Sequence, residues 1–206
     1  MTARQKRTRV WGQYALIATG LSALAYCAFA FAEALRYQAL AREQMRKARV
    51  VLPEPLTTQN SAAMSPPTPL PLGGGMALVG RIDVPRIHIS TMVAEGTSPR
   101  ILRVAVGHIP GTALPGQAGN VALAAHRDVF FRHLGELKSG DLIRLTVPGG
   151  EYVYSVRFTD VVSPNETWVL EPSVNQELTL VTCYPFYYVG PAPKRFIVRA
   201  RRVDNE

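Results

Sequence analysis

The chain has few of the residues that build metal sites and disulfide frameworks. Its 206 residues include two cysteines and four histidines. Cys27 lies in a long apolar segment and Cys183 lies far from it, so we expect no disulfide. The histidines, at positions 88, 108, 126 and 133, lack the spacing of zinc ligands, and no dense acidic loop indicates calcium. The sequence therefore predicts no metal and no cofactor, and it leaves Cys183 as a free thiol.

Acidic residues are also few, 15 against 23 lysines and arginines, for a formal net charge of +8. Much of the basic excess flanks the apolar segment, which suits anionic lipid headgroups. A nucleic-acid surface would need basic residues interleaved with exposed aromatics in the globular part, and no such motif occurs. We therefore expect a membrane partner and no nucleic acid. The flanking basic residues are Arg4, Lys6, Arg7, Arg9, Arg36, Arg42, Arg46, Lys47 and Arg49.

The apolar segment, residues 11–32, contains no charged side chain. About 20 apolar residues cross a bilayer as a helix, and Trp11 and Tyr14 suit its interface. The short basic tail before it, residues 1–10, predicts a cytoplasmic N-terminus with the remainder outside. A cleaved signal peptide ending near Ala32 is the alternative, disfavoured because signal h-regions span only about 7–15 residues. We predict a single-pass plasma-membrane anchor.

The segment 33–76 is expected to separate the anchor from a folded domain. Its first part, residues 33–49, lacks Gly and Pro and favours a helix. Its later part is rich in Pro, Ser and Gly, which is typical of a spacer without a core. In polyproline II form, at about 3.1 Å per residue, this spacer would hold a domain several tens of ångströms off the membrane.

Residues 77–206 are predicted to form one all-β domain, a barrel or sandwich, because short β-branched runs alternate with Gly and Pro. Residues 98–102 and 130–137 are expected to form short helices, and 147–151 a hairpin turn. The predicted strands are 77–84, 86–91, 103–108, 120–125, 141–147, 151–162, 177–183 and 195–203.

Three residues at predicted strand ends carry chemistry when taken together. Cys183 ends the run TLVTC (179–183), His126 follows the strand 120–125, and Arg195 opens the last strand. An antiparallel pair of strands would bring Cys183 and Arg195 side by side. Taken singly, a cysteine is commonly inert core and a histidine commonly makes only local hydrogen bonds. Together they form a nucleophile, an acid/base and an oxyanion stabiliser.

Three further side chains are candidates for substrate contact. Thr182 and Tyr184 flank Cys183, and Asn120 begins the strand that leads to His126. Thr182 and Asn120 also have ordinary structural explanations, since Thr favours strands and Asn hydrogen-bonds locally near turns. We expect Thr182, Tyr184 and Asn120 to bind substrate.

The motif TLVTC, with a histidine after an earlier strand and an arginine on the next, resembles the sortase family of cysteine transpeptidases. The stretch TCYPFYYVGPAPKRF (182–196) is most similar to class D, and the resemblance covers residues 77–206. It implies an eight-stranded β-barrel, in agreement with the strand count. Ala125 departs from the family pattern, because many sortases have glycine before the histidine. Since Ala is small, we expect only a slight change in how the backbone approaches substrate.

The resemblance also implies a reaction and its partners. Cys183 would attack the Thr carbonyl of an LPxTG-like sorting signal and form a thioester. His126 would protonate the leaving amine and later deprotonate an incoming one, while Arg195 would hold the oxyanion. The implied acceptor is an amine, either of a cell-wall precursor or of a pilin lysine. The alternatives are an extracytoplasmic cysteine protease, distinguished by its indifference to added amine, and a non-catalytic membrane-tethered scaffold.

Overall fold

A computed structural model describes residues 3–51, 69–72 and 75–203. It begins with helix α1 (Ala3–Val51), 49 residues long. The segment Trp11–Ala48 contains an 18-residue window of mean hydropathy 1.9 with none of it buried. By length and composition this helix can cross a membrane, although signal sequences share those properties. Most of the predicted Pro-rich spacer, residues 52–68, lies outside the described residues.

The strands of the described residues form one closed barrel with a short addition. The order is β1-β2-β3-β4-β5-β8-β9-β7-β6, and β2 also pairs with β6, which closes a ring of eight strands. The predicted eight-stranded barrel is therefore confirmed. The strands are β1 (Leu70–Leu72), β2 (Met76–Val84), β3 (Ile89–Glu95), β4 (Val106–His108), β5 (Gly119–Ala124), β6 (Leu142–Val147), β7 (Gly150–Val162), β8 (Gln176–Tyr184) and β9 (Lys194–Val203).

Strand β1 lies outside the closed ring, in the stretch that the sequence assigns to a spacer. Leu70 pairs with Leu78 and Leu72 with Met76, along the same edge of β2 that pairs with β6 farther on. Leu72 is buried. Apolar residues in a Pro-rich stretch can thus join a sheet at an edge, where Pro is tolerated.

Short helices connect the strands at places where Pro fixes the backbone. Helix α2 (Pro99–Val104) begins after Ser98, whose hydroxyl accepts a hydrogen bond from the Ile101 amide, a standard N-cap. This helix replaces the start of the strand predicted at 103–108. Further 3₁₀ turns lie at Pro85–Ile87, Leu134–Glu136 and Thr167–Leu170.

The first of these turns displaces β3 from its predicted position at 86–91. Pro85 suits the first position of a helical turn, and His88 adopts a left-handed conformation with φ of 53°. The strand therefore begins only at Ile89. The strand itself was predicted, but the local turn chemistry decides where it starts.

The barrel interior is a hydrophobic core built from alternate residues of the strands and from apolar residues of the connecting turns. Fully buried members include Phe131, Ile143, Leu178, Leu180 and Val198. Burial of each such side chain stabilises the fold by about 1.5–3 kcal/mol before entropy is counted. This rigid ring fixes the ends of its strands, and those ends carry the candidate site.

A second cluster joins α1 to the outside of the barrel. Tyr37 and Ala41 of the helix are buried against residues of β2, β3 and α2, among them Leu78, Met92 and Val104. The sequence predicts a domain held far from the anchor helix. The structure instead packs the second half of that helix directly on the barrel, because one face of it is apolar at helical spacing.

Candidate active site

Strands β8 and β9 bring the thiol and the guanidinium to the same rung of the sheet. In their antiparallel register Cys183 pairs with Arg195. Cys183 is half-buried at the end of β8, and Arg195 lies at the start of β9. Directly opposite residues of an antiparallel pair have Cβ atoms about 4.5–5.5 Å apart. The rigid ladder therefore places the Cys183 and Arg195 side chains next to each other on one face of the sheet.

His126 reaches the same place from the other side of β8. Strand β5 runs parallel to β8 with Ala124 opposite Val181, and the Ala125 amide donates to the Val181 carbonyl at 3.3 Å. The register, continued by two residues, places His126 next to Cys183. The imidazole is exposed. Three neighbouring strands thus deliver an imidazole, a thiol and a guanidinium to one end of the barrel.

The guanidinium of Arg195 is anchored through one of its nitrogens. Nη1 donates to the carbonyls of Ala192, at 3.2 Å, and Lys194, at 2.9 Å. Within the described part of the chain, its other N–H groups donate to no protein acceptor. The loop carbonyls thus orient the fork through Nη1 and leave its Nε and Nη2 groups open.

Arg127, directly after the histidine, fixes the β8–β9 loop. Its Nη1 donates to the Pro185 carbonyl at 2.8 Å, and its Nη2 donates to Tyr188 at 2.6 Å and Gly190 at 3.1 Å. The guanidinium also lies 5.9 Å from the centre of the Tyr188 ring. The sequence alone did not identify this role of Arg127, because its partners are 58 or more residues away.

An aromatic cluster lines the base of that loop. The ring centres of Tyr184 and Phe186 are 5.8 Å apart, and Phe196 lies 6.2 Å from Tyr184 and 5.3 Å from Phe186. Tyr184, predicted to contact substrate, is half-buried at the mouth of this cluster. Its ring packs with Phe186 against the barrel core, on the opposite face of β8 from Cys183, so the predicted substrate contact is not supported by this placement.

Thr182 has a structural partner instead of a free hydroxyl. It is 2% exposed, and its Oγ1 donates to the Ala125 carbonyl at 2.8 Å. The predicted substrate contact is not supported by this placement, because the side chain faces the strand that carries His126. The hydrogen bond instead ties the residue before the histidine to the residue before the cysteine.

Asn120 lies at the opposite end of β5 from His126 and also departs from the prediction. It is 2% exposed, its amide nitrogen donates to the Val169 carbonyl at 3.0 Å, and its Oδ1 accepts from Thr179 at 2.7 Å. Its polar atoms are satisfied inside the protein, so the predicted substrate contact is corrected to a structural role. The local sequence shows a polar residue near a turn but cannot show partners 49 and 59 residues away.

His108 belongs to a separate buried group. It is 2% exposed, with Nδ1 at 2.7 Å from a Glu95 carboxylate oxygen and Nε2 at 2.9 Å from the Ala113 carbonyl. Both ring nitrogens thus face acceptors within the fold. Among the described residues no group of three or more His, Cys, Asp or Glu side chains could hold a metal ion.

Known proteins share this arrangement of strands. "Sortase D" of Bacillus subtilis (strain 168) is 39% identical over 125 residues, 60% of this chain and 63% of that protein. A solved structure of a Clostridium perfringens "Sortase D5 transpeptidase" has a TM-score of 0.57 at 31% identity, covering 62% of this chain and 79% of that one. The structure of sortase C-1 from Actinomyces oris has a TM-score of 0.60 at 28% identity, covering 79% of this chain and 99% of that one.

The family match covers most of the barrel. The matched region spans less than two thirds of the length of the Bacillus subtilis relative. A family model described as the sortase domain matches residues 82–203, which is more than half of the chain. These residues contain His126, Cys183 and Arg195, so the resemblance drawn from the motifs is confirmed. The chain belongs to the sortase family.

Proposed function

We propose that this chain is a membrane-anchored cysteine transpeptidase that cleaves an LPxTG-like sorting signal and transfers the acyl group to an amine on the cell surface. One observation carries the proposal. The registers of β5, β8 and β9 bring His126, Cys183 and Arg195 to adjacent positions at one end of the barrel. Membership of a family of cysteine transpeptidases agrees with this use of the three groups.

The first half-reaction forms a thioester on Cys183. The thiolate attacks the Thr carbonyl of the sorting signal, and the electron pair of the C=O bond moves to oxygen. Arg195 stabilises that oxyanion with the part of its fork that the loop carbonyls leave open. When the tetrahedral intermediate collapses, the C–N bond breaks, and His126 gives its proton to the departing amine of the Gly residue.

The second half-reaction resolves the thioester with an amine. The nitrogen of the incoming amine attacks the thioester carbonyl, and His126, now neutral, takes a proton from that amine. The C–S bond breaks, the thiolate of Cys183 is restored, and a new amide is released. Exposure of His126 gives the acceptor a route to the acyl group. The acceptor class that we propose is a primary amine of a cell-wall precursor or of a pilin lysine.

The anchor in this proposal is the apolar first half of α1. Its composition allows a single membrane crossing, and the basic residues that precede it favour a cytoplasmic N-terminus. The barrel then lies outside the cytoplasm, where surface proteins and wall precursors meet. The domain boundaries at residues 32 and 76 remain predictions.

The test is acyl transfer by the full chain in detergent or nanodiscs. An LPxTG-type peptide library is incubated with and without a primary amine such as triglycine, and products are identified by mass spectrometry. We expect cleavage after Thr and a new amide that requires the added amine. The matched control replaces the other cysteine: Cys27→Ala should be fully active, and Cys183→Ala inactive. Release of free acid alone, whatever the amine concentration, would favour the protease alternative and reject transpeptidation.

A further inference from the structure

Arg127 begins from a turn whose backbone is tied to the barrel on both sides of His126. The His126 carbonyl accepts a hydrogen bond from the Phe131 amide at 3.2 Å, and Phe131 is 0% exposed in the core. Before the histidine, the Ala125 amide donates to the Val181 carbonyl at 3.3 Å. The Arg127 side chain therefore starts from a fixed point next to the candidate site, and whatever its guanidinium binds is held relative to that point.

The β8–β9 loop, residues 185–193, depends on side chains to keep its place. Within the part of the chain that the structure describes, its backbone forms no hydrogen bond with another backbone group. Instead, four of its carbonyls accept hydrogen bonds from two guanidinium groups, three from Arg127 and one from Arg195. These carbonyls belong to Pro185, Tyr188, Gly190 and Ala192. Two arginines thus replace the backbone ladder that holds the flanking strands.

The two halves of this loop differ in how much packing supports them. In the first half the Phe186 ring packs against Tyr184, with 5.8 Å between ring centres, and against the barrel core. Farther along, Tyr187 and Val189 are 89% and 96% exposed and contribute almost no packing. There the Nη2 group of Arg127 binds the carbonyls on both sides of Val189. The second half of the loop therefore depends chiefly on Arg127.

The second half of the loop leads directly to Arg195. Ala192 follows Gly190 by two residues, and its carbonyl is one of the two acceptors that orient Nη1 of Arg195. Pro191 lies between them and has a fixed φ, so a shift at Gly190 is passed on to Ala192. Because a guanidinium is planar and rigid, the acceptors of Nη1 also set the direction of its open Nε and Nη2 groups.

We propose that Arg127 is a positioning residue for transpeptidation: by holding the β8–β9 loop, it directs the open N–H groups of Arg195 toward the oxyanion that forms when Cys183 attacks. This inference rests on the proposed function and adds a residue to its machinery. Loop carbonyls occupy both terminal nitrogens of Arg127, so it acts through Arg195 and not on the substrate. One turn thus places the acid/base, His126, directly and the oxyanion stabiliser through the loop.

Alkylation of Cys183 tests the coupling without any substrate. The full chain carrying Cys27→Ala, in nanodiscs, reacts with neutral iodoacetamide or with anionic iodoacetate, and the ratio of the two rate constants reports the cation beside the sulfur. We expect Arg127→Met to lower the iodoacetate to iodoacetamide ratio about threefold, the size expected when a unit charge a few ångströms away in water is displaced. In a chain that already carries Arg195→Met, the same change should alter the ratio by less than about 1.5-fold.

Two further variants and a protease separate loop holding from loss of charge. Arg132→Met is the matched control, because Arg132 is exposed nearby and its side chain forms no hydrogen bond or ion pair with the described residues. It should leave the ratio unchanged. Arg127→Lys keeps the charge and three donors and should recover part of the ratio. Chymotrypsin should cut after Tyr187 or Tyr188 about tenfold faster in Arg127→Met, because the released loop can enter the protease, with the cut identified by mass spectrometry.

Acyl transfer supplies the last measurement. We expect Arg127→Met to lower kcat about tenfold with KM for the peptide within about twofold, and to cost less than about threefold when Arg195→Met is present. Equal losses in the two backgrounds would overturn action through Arg195, and a higher KM at unchanged kcat would make Arg127 a substrate contact. Loop cleavage at the native rate would also reject the proposal. A chain that makes no amide but shows the expected alkylation and cleavage loses the proposed reaction and keeps the coupling of Arg127 to Arg195.

Discussion

Two rungs of the same pair of strands differ sharply in how their polar groups are satisfied. On one rung Thr179 faces Arg199, and four residues farther along Cys183 faces Arg195. Thr179 is 0% exposed, donates to Asn120 at 2.7 Å and accepts from Arg199 at 2.7 Å. Cys183 is half-buried, and among the described residues it has no such partner. Both pairs lie on β8 and β9, so the difference comes from the residues that surround each pair.

The difference separates stability from reactivity. The Thr179–Arg199 pair, which we call the inner rung, has its polar groups bound inside the protein. Arg199 also binds Glu177 at 3.0 Å and the Val169 carbonyl at 2.9 Å. Buried polar groups that are fully hydrogen-bonded strengthen a fold. The Cys183–Arg195 pair, which we call the outer rung, leaves a thiol and part of a guanidinium accessible, and the neighbouring His126 adds an exposed imidazole. A site of reaction needs such unsatisfied groups held in place by satisfied ones.

The largest expected effect is removal of the thiol. In Cys183→Ala we expect acyl transfer to fall by at least about 10⁴-fold, because no other group can form the thioester. The free energy of unfolding should change by less than about 0.5 kcal/mol, since a half-buried side chain without hydrogen bonds is lost. Product is measured by mass spectrometry and stability by denaturant titration. Residual turnover within tenfold of the native chain would remove Cys183 from the mechanism.

Exchanging arginine for lysine on each rung tests the comparison directly. We expect Arg195→Lys to lower kcat/KM by about 10²-fold with stability unchanged, because an ammonium cannot reproduce the fork that holds the oxyanion in the proposed mechanism. The matched variant Arg199→Lys should do the opposite. It should cost about 1–3 kcal/mol of stability by breaking the buried network, while the folded fraction keeps its rate. Steady-state kinetics and denaturation of both variants give the answer, and a reversed pattern would contradict the division of roles.

The strands and the outer rung could be predicted because their signals are local. Alternating apolar residues locate β8 and β9, and the loop between them leaves antiparallel pairing as the simple connection, which sets Cys183 opposite Arg195. The start of β3 was missed because Pro85 opens a helical turn within an otherwise strand-like run.

The inner rung and the docked helix could not be predicted, because each depends on contacts between distant parts of the chain. Asn120 finds Val169 across 49 residues, and Gln38 finds Met92 and Val104 across 54 and 66. Composition shows that residues 33–49 favour a helix, but it does not show which surface that helix meets. The predicted substrate contacts of Asn120 and Thr182 are not supported for the same reason, because their hydrogen-bond partners lie 49 and 57 residues away in the chain.

Asn120→Ala tests the inner rung, and its expected effect is intermediate in size. The substitution leaves the Thr179 hydroxyl and the Val169 carbonyl each without one buried partner, and we expect a loss of about 1–3 kcal/mol. The catalytic rate of the folded fraction should stay near that of the native chain. The control is Asn175→Ala, which removes one solvent-exposed hydrogen bond from Arg201, with an expected change below about 0.5 kcal/mol. Equal stabilities of the two variants would show that the inner rung does not stabilise the barrel.

Thr182→Val is expected to have the smallest effect, because it removes one hydrogen bond while keeping the shape of the side chain. The lost bond, to the Ala125 carbonyl, links the segments that carry His126 and Cys183. We expect a loss of about 1 kcal/mol of stability and a fall in kcat of less than about tenfold, since the two groups are held less firmly. Thr182→Ser keeps the hydroxyl and should restore kcat. KM for the peptide should be the same in all three chains, because the hydroxyl points into the protein. A rise in KM for Thr182→Val with kcat unchanged would instead show that this threonine contacts substrate.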